Sequence, residues 1–314
     1  MAKYRDSLPQ LAAGSMMLTD GGIETYLIFQ QGIDLPQFAA CDLLRTESGT
    51  RTLSDYLDDN VAVATSSGLP FSIDSPTWRA NPDWGNRLGY SSVELEEVNR
   101  AGVRMAADVR RRHETAAAPF VIAGVVGPRG DGYRVDVRQT ATEAERYHSV
   151  QIGVLADTDA DYISALTINY SDEAIGIVRA AAAVAMPVVI SFTVELDGRL
   201  ASGESLQEAI ETVDAATHRG PVYYGVNCVH PTHLPDELFG GASWAGRVRS
   251  FRANASRLSH AELDEAEELD DGDPLELAAQ MREVRDRMPQ LAVIGGCCGS
   301  DSRHISAIAA ALIR

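Results

Sequence analysis

The chain contains four cysteines, Cys41, Cys228, Cys297 and Cys298, and three of them stand in settings suited to chemistry. Cys228 closes the stretch Gly225-Val226-Asn227-Cys228, and Cys297-Cys298 lies between Gly295-Gly296 and Gly299. Thiolates are soft ligands that select Zn²⁺ over Mg²⁺ or Ca²⁺. Three protein ligands leave a fourth position open, the pattern of a catalytic rather than a structural zinc. Glycines on both sides of the pair let the backbone bend so that both sulfurs can face one ion. A disulfide between the adjacent Cys297 and Cys298 would be strained. Cysteine is also a common small buried hydrophobe. That is the reading of Cys41, and it stays open for Cys228 taken alone. The Cys-Cys pair fits it poorly, because glycines replace side chains that a core position would supply.

Positioning those sulfurs requires a scaffold, and the chain alternates β-rich runs with helical patterns. The runs are MMLTD (16–20), VAVATS (61–66), PFVIAGVV (119–126), DYISALTI (161–168), PVVISFTV (187–194), VYYGVN (222–227), RVRSFRA (247–253) and LAVIGG (291–296). Most are continuously apolar, as strands of a parallel sheet buried on both faces should be. Between them, Ser91 with Glu94, Thr142 with Glu145 and Ser205 with Glu208 have capping-box spacing. Asp273-Pro274 opens a helix that Pro289 stops, and a last helix runs over 302–313. Eight β-then-α units in about 300 residues point to an α/β fold of the (β/α)₈ TIM-barrel type, one domain over 1–314, with an open doubly wound sheet as the alternative. In such a barrel the βα-loops at the C-terminal ends of the strands carry the reaction. The ends of runs six and eight hold the three cysteines and are next-but-one neighbours around the barrel. The acidic stretch 260–274 reads as a solvated βα-loop or lid.

Composition excludes several classes. The net charge of −18 argues against nucleic-acid or anionic-membrane partners, which need clustered Lys and Arg. No apolar run approaches the roughly 18 residues of a membrane span, and the N-terminus shows no signal-peptide core. The expected location is cytoplasmic and the expected partners are small molecules.

Three segments carry a resemblance. TDGGIET (19–25), GVNCVHPTH (225–233) and GGCCGSDSRHI (295–305) resemble the signatures of the homocysteine S-methyltransferase family, with support from VVGPRGDGY (125–133) and SFTVELDGRLASGESLQEAI (191–210). The resemblance implies a (β/α)₈ barrel in which Cys228, Cys297 and Cys298 bind zinc and a substrate thiol takes the fourth position. It further implies a methyl donor that is a sulfonium, such as S-methylmethionine, or an ammonium, such as betaine, and no organic cofactor. S-Methylmethionine and homocysteine, giving methionine, are the leading pair.

Asp20 is the expected holder of the acceptor's α-ammonium, with a turn cap as its alternative role. Glu24 is expected either to bind substrate or to stabilise its loop. Asn227 is expected to orient the loop carrying Cys228, with a direct substrate contact as the lesser alternative, and His230, His233 and His304 to serve as polar residues outside the ligand set. Three stretches depart from the family pattern. Leu166 stands where relatives often place a glutamate that recognises the amino group. Ser72-Ile73-Asp74-Ser75-Pro76-Thr77 replaces a Glu-Thr-Asn-type ending, with Asp74 as a possible replacement charge or a turn cap. Arg252-Ala253-Asn254-Ala255 only partly resembles a Tyr-Pro-Asn element. These departures keep open another small thiol or a selenol as acceptor. A non-catalytic zinc-binding barrel and a zinc hydrolase are the readings from other classes; three thiolates count against the hydrolase.

Overall fold

A computed structural model describes residues 2–135 and 138–313; Met1 and Arg314, the ends of the expected domain, lie outside the described residues. Its strands are β1 (Met17–Leu18), β2 (Phe71–Asp74), β3 (Phe120–Val126), β4 (Tyr162–Ile168), β5 (Val188–Phe192), β6 (Tyr223–Val229), β7 (Val248–Ala253) and β8 (Val293–Gly296). They form one closed barrel in sequence order. β1 closes it in parallel register, with Leu18 opposite Phe71 of β2 and Met17 opposite Val293 of β8. The open doubly wound alternative is thereby excluded.

Every residue of β3, β5 and β6 is buried. A strand with barrel interior on one side and helices on the other has no wet face, so the sequence shows a run and no alternation. Inside the barrel, Met17, Val121, Ala123, Val125, Tyr162, Val189, Tyr223 and Val293 fill the centre. At the N-terminal end of the strands, buried Asp161 accepts the amides of Lys3 and Tyr4 at 2.8 and 2.7 Å and pairs with Arg110 at 2.8 Å. The N-terminal segment is thus tied across the bottom of the barrel, away from the cysteines.

Three local expectations are corrected. VAVATS (61–66) lies inside the helix Glu47–Ser67, and the second strand follows it at Phe71–Asp74. Its β-branched residues suggest a strand, yet Leu53, Tyr56, Leu57, Asn60, Val61 and Ala64 are buried at helical spacing, and Thr46 caps the helix. The capping box of the helix Ala141–Ala156 is made by Thr140 and Glu143, two residues before the expected pair. The sixth crossover contains no α-helix among the described residues. It is made of short 3₁₀ turns at Pro231–His233, Asp236–Phe239 and Ala245–Arg247, because Pro231, Pro235 and Gly240-Gly241 interrupt any longer helix. The boxes at Ser91–Glu94 and Ser205–Glu208, the Asp273 cap and the helix Ser302–Ile313 form as the sequence indicates.

The acidic segment is a short helix, His260–Asp264, followed by an exposed loop that leads to the helix Pro274–Arg287. No described helix is long and apolar enough to cross a membrane.

Candidate active site and metal centre

The three cysteines meet at the C-terminal mouth of the barrel. Cys228 is in β6, while Cys297 and Cys298 follow β8 directly. Their Sγ atoms all lie within 4.8 Å of one another, and no described histidine, aspartate or glutamate joins the group. The register between β6 and β7 shifts at Asn227/Val229, and Cys228 sits in the left-handed region at φ 55°. A bulge of this kind re-aims a side chain at the cost of local strain, and here it belongs to the cysteine itself.

Glycine is required where the β1 and β8 loops interlock. A Cβ on Gly22 would lie 2.5 Å from Cys297 O, and one on Gly21 would strike Ser300 O. The contact is closed by Gly22 N–H donating to Ser300 O at 2.9 Å and Gly299 N–H donating to Thr25 Oγ1 at 3.1 Å. The Gly-Gly step therefore admits the cysteine loop rather than a substrate alone.

Cys228 and Cys297 form a disulfide, with Cα atoms 5.3 Å apart, and Cys298 is free. The sequence pointed to free or metal-bound thiols. The pair that forms is across the barrel mouth, where the Cα separation is that of an ordinary disulfide, and not the adjacent pair. The donor set fits a soft metal in its reduced state: three sulfurs, glycine-rich turns and no competing carboxylate. Burial pushes the Cys298 thiol up to about 11, so a nearby cation is needed to make it a thiolate at neutral pH. Cys41 is buried and free, as expected of a core cysteine.

Beside the sulfurs lies a cavity of about 80 Å³, lined by Asp20, Glu24, Asp74, Trp78, Tyr133, Leu166, Asn227 and Arg252. A larger space of about 340 Å³ adjoins it, sharing Phe38, Trp78, Tyr133 and Cys298, and is bordered by Asp131, Asp264, Glu268 and Asp270.

The profile of the family described as homocysteine S-methyltransferase matches residues 17–312. The chain belongs to the homocysteine S-methyltransferase family. This S-methyltransferase is 25% identical over 323 residues to homocysteine S-methyltransferase 4 of Zea mays, covering 96% of this chain and 90% of that one. It is 26% identical over 340 residues to homocysteine S-methyltransferase 1 of Brassica oleracea var. italica, with coverage of 96% and 94%. Its fold matches the oxidized form of the homocysteine methyltransferase MmuM from Escherichia coli, with a TM-score of 0.77 at 17% identity over 98% of this chain and 99% of that one. The metallated form of MmuM matches with a TM-score of 0.74 at 16% identity over the same shares.

Two of the methyltransferase's expected site residues are held by other elements of the barrel mouth. Asp20 lines the cavity but is not free: its Oδ1 accepts Arg252 Nη2 at 2.6 Å and Thr19 Oγ1 at 3.1 Å. Arg252 also pairs with Asp74 and donates through Nε to Gly296 O at 3.2 Å. Asp20 Oδ2 accepts no hydrogen bond from the described residues. Burial pushes the Asp20 carboxyl up, while the Arg252 charge pulls it back. Asn227 lines the cavity beside Cys228. Its side chain accepts Thr167 N–H at 2.8 Å and donates to Thr167 Oγ1 at 3.0 Å, fixing the end of β4, where Thr167 has φ 63°. The bulge at Cys228 turns the two neighbouring side chains to different jobs.

Glu24 faces the cavity, and burial pushes its carboxyl up to about 7. Leu166 lines the cavity, and its carbonyl accepts Trp78 Nε1 at 3.3 Å. His304 is buried between Asp301 at 3.1 Å and Asp271 O at 2.8 Å, and buried His230 is held by Thr232, so neither reaches the sulfurs. Sequence reasoning missed Tyr133, whose hydroxyl donates to Cys228 Sγ at 3.4 Å and lies 3.8 Å from Cys298 Sγ. It also passed over the signal at Arg252. A charged residue inside an otherwise buried strand requires acidic partners, and Asp20 and Asp74 are those partners.

Proposed function

We propose that this methyltransferase moves a methyl group from a positively charged donor, S-methylmethionine in the first instance, to the thiol of homocysteine at a zinc site formed by Cys228, Cys297 and Cys298. The observation that carries the reading is the convergence of three sulfurs within 4.8 Å at the mouth of the barrel. When bound, zinc would favour the acceptor's thiolate over its thiol at neutral pH and so supply a nucleophile.

The surrounding residues have distinct tasks in this proposal. Asp20 Oδ2 and the Glu24 carboxylate receive the acceptor's α-ammonium; in the Asp20–Arg252–Asp74 cluster two carboxyl groups face a single guanidinium. Tyr133 orients the sulfurs through its hydroxyl, and Trp78 with Leu166 keeps water from the small cavity. The donor approaches through the larger space, which Phe29, Phe38, Trp78 and Tyr133 line and whose acidic rim complements the charge of an onium group. Charge is neutralised as the methyl moves, so a dry cavity assists the displacement.

Metal content of freshly reduced protein, measured together with methyl transfer from S-methylmethionine to homocysteine, tests the reading. About one zinc per chain with methionine formed is the expected result. No zinc and no turnover would overturn it. Zinc without methionine would favour a second reading, transfer to another small thiol or a selenol. Two observations support that alternative: apolar Leu166 lines the cavity, and Arg252 occupies one oxygen of Asp20.

Glu24 makes a pH prediction. Its proton is held more tightly in the folded chain than in the unfolded one. The group's contribution to stability is therefore intact below pH 4.5 and lost as pH rises to about 7. Ionisation over the same range adds the charge that attracts an ammonium. The KM for homocysteine is therefore expected to fall as pH rises through about 7. Glu24→Gln should flatten that limb while leaving the KM for the donor little changed; an unaltered acceptor profile would remove Glu24 from acceptor binding.

A further inference from the structure

The acidic segment bears directly on the metal centre through its first helical residue. His260 is the only residue of the short helix His260–Asp264 whose side chain hydrogen-bonds into the barrel mouth among the described residues. Its Nε2 donates to Cys228 O at 2.7 Å, its Nδ1 faces Glu195 Oε1 at 3.0 Å, and its ring lies against Tyr133 with centroids 4.3 Å apart. Only 10% of its side chain is exposed, although most of residues 261–268 are open to solvent.

The carbonyl that His260 holds belongs to the one cysteine in a left-handed conformation, at φ 55°. A non-glycine residue persists there only when its surroundings over-determine it. The same oxygen accepts Asn254 Nδ2 at 3.2 Å, so donors from the β7 end and from the acidic segment converge on one peptide group. The far end of the segment is anchored separately, by Ser256 Oγ to Asp270 at 2.5 Å and by Arg303 to Asp271 at 2.7 Å. The His260 contact falls elsewhere, on the peptide from which the Cys228 sulfur projects.

We propose that His260, oriented by Glu195, is a positioning residue for the thiolate site: it holds the Cys228 peptide in its left-handed conformation and places the Tyr133 ring whose hydroxyl meets the sulfurs. This inference rests on the zinc reading above. Partners of this kind, which orient metal ligands without touching the ion, typically change metal affinity by ~10–100-fold when removed.

The test compares wild type, His260→Ala and His260→Gln as reduced, zinc-loaded full chains. The readouts are the rate of zinc release to a chromogenic chelator and the thiolate-to-cobalt charge-transfer band of the Co²⁺-substituted protein. His260→Ala should release zinc at least ~10-fold faster and shift the band, while His260→Gln, which keeps a side-chain N–H for the carbonyl, restores most of both. Release at the wild-type rate with an unshifted band would overturn the proposal. Glu195→Gln serves where His260→Ala does not fold, with a smaller change of the same sign expected and no change counting against the proposal. If wild type takes up no metal, the zinc reading fails on its own. Positioning is then read from iodoacetamide alkylation of the reduced metal-free chain, followed by mass spectrometry. His260→Ala should speed labelling of Cys228 relative to Cys298, and equal ratios in variant and wild type would overturn it.

Discussion

Cys298→Ala is expected to abolish methyl transfer and leave the barrel folded. A bound metal supplies several kcal/mol of charge stabilisation to a reaction of this kind. At 1.36 kcal/mol per decade, losing it lowers the rate on the order of 10³-fold or more. Cys298 is the informative position because it is unpaired and only partly buried, and no core cluster depends on it. The measurements are kcat/KM, zinc per chain and the thermal unfolding profile on the same preparation. A near-native melt with zinc and turnover both lost is the expected combination. Turnover at the wild-type level would sink the proposed mechanism, whatever the metal content.

Arg252→Met is expected to destabilise the fold as well as the site. The guanidinium is buried, its side chain 9% exposed, and it joins carboxylates from two other strand ends, Asp20 after β1 and Asp74 in β2. Methionine preserves the length and the apolar stem but leaves two neighbouring carboxylates without their counter-charge. Breaking one member of such a buried cluster costs about 3–5 kcal/mol. Burial already raises the Asp20 carboxyl, and without the Arg252 charge its proton is held still more tightly in the folded chain, so stability should be regained as pH falls and lost as pH rises. Chemical denaturation of wild type and variant at pH 5 and pH 8 measures this. A loss of similar size at both pH values would mean that packing, and not charge, explains the effect. Adding Asp74→Asn to Arg252→Met should recover part of the loss by removing one of the two repelling charges.

The barrel was legible in the sequence because strands buried on both faces leave uninterrupted apolar runs. β3, β5 and β6 were found within a residue or two of their observed bounds. The second strand was misplaced for a related reason. VAVATS is apolar and β-branched, but only its spacing against Leu53 and Leu57, across more than two helical turns, shows that it belongs to a helix. The missing sixth helix was written in Pro231, Pro235 and the glycines after Phe239, and was overlooked in favour of regular alternation. The candidate metal ligands stand out in the sequence because a Cys-Cys pair flanked by glycines has few structural explanations.

What the sequence alone determined is the chemistry available: three thiols at the ends of strands six and eight, a carboxylate after strand one, and a family to which the whole arrangement belongs. What only the tertiary structure decided is which groups remain free to act. Asp20 is half committed to Arg252, 232 residues away along the chain. Asn227 serves Thr167 of β4 rather than its own neighbour, and the Cys228 peptide is held by Asn254 and His260. The physical reason is that periodicity and motif spacing report on a residue's own element, whereas hydrogen bonds and ion pairs at a barrel mouth are made between elements. Closure of β1 against β8 brings those elements together, and no local pattern in the chain encodes the resulting pairs.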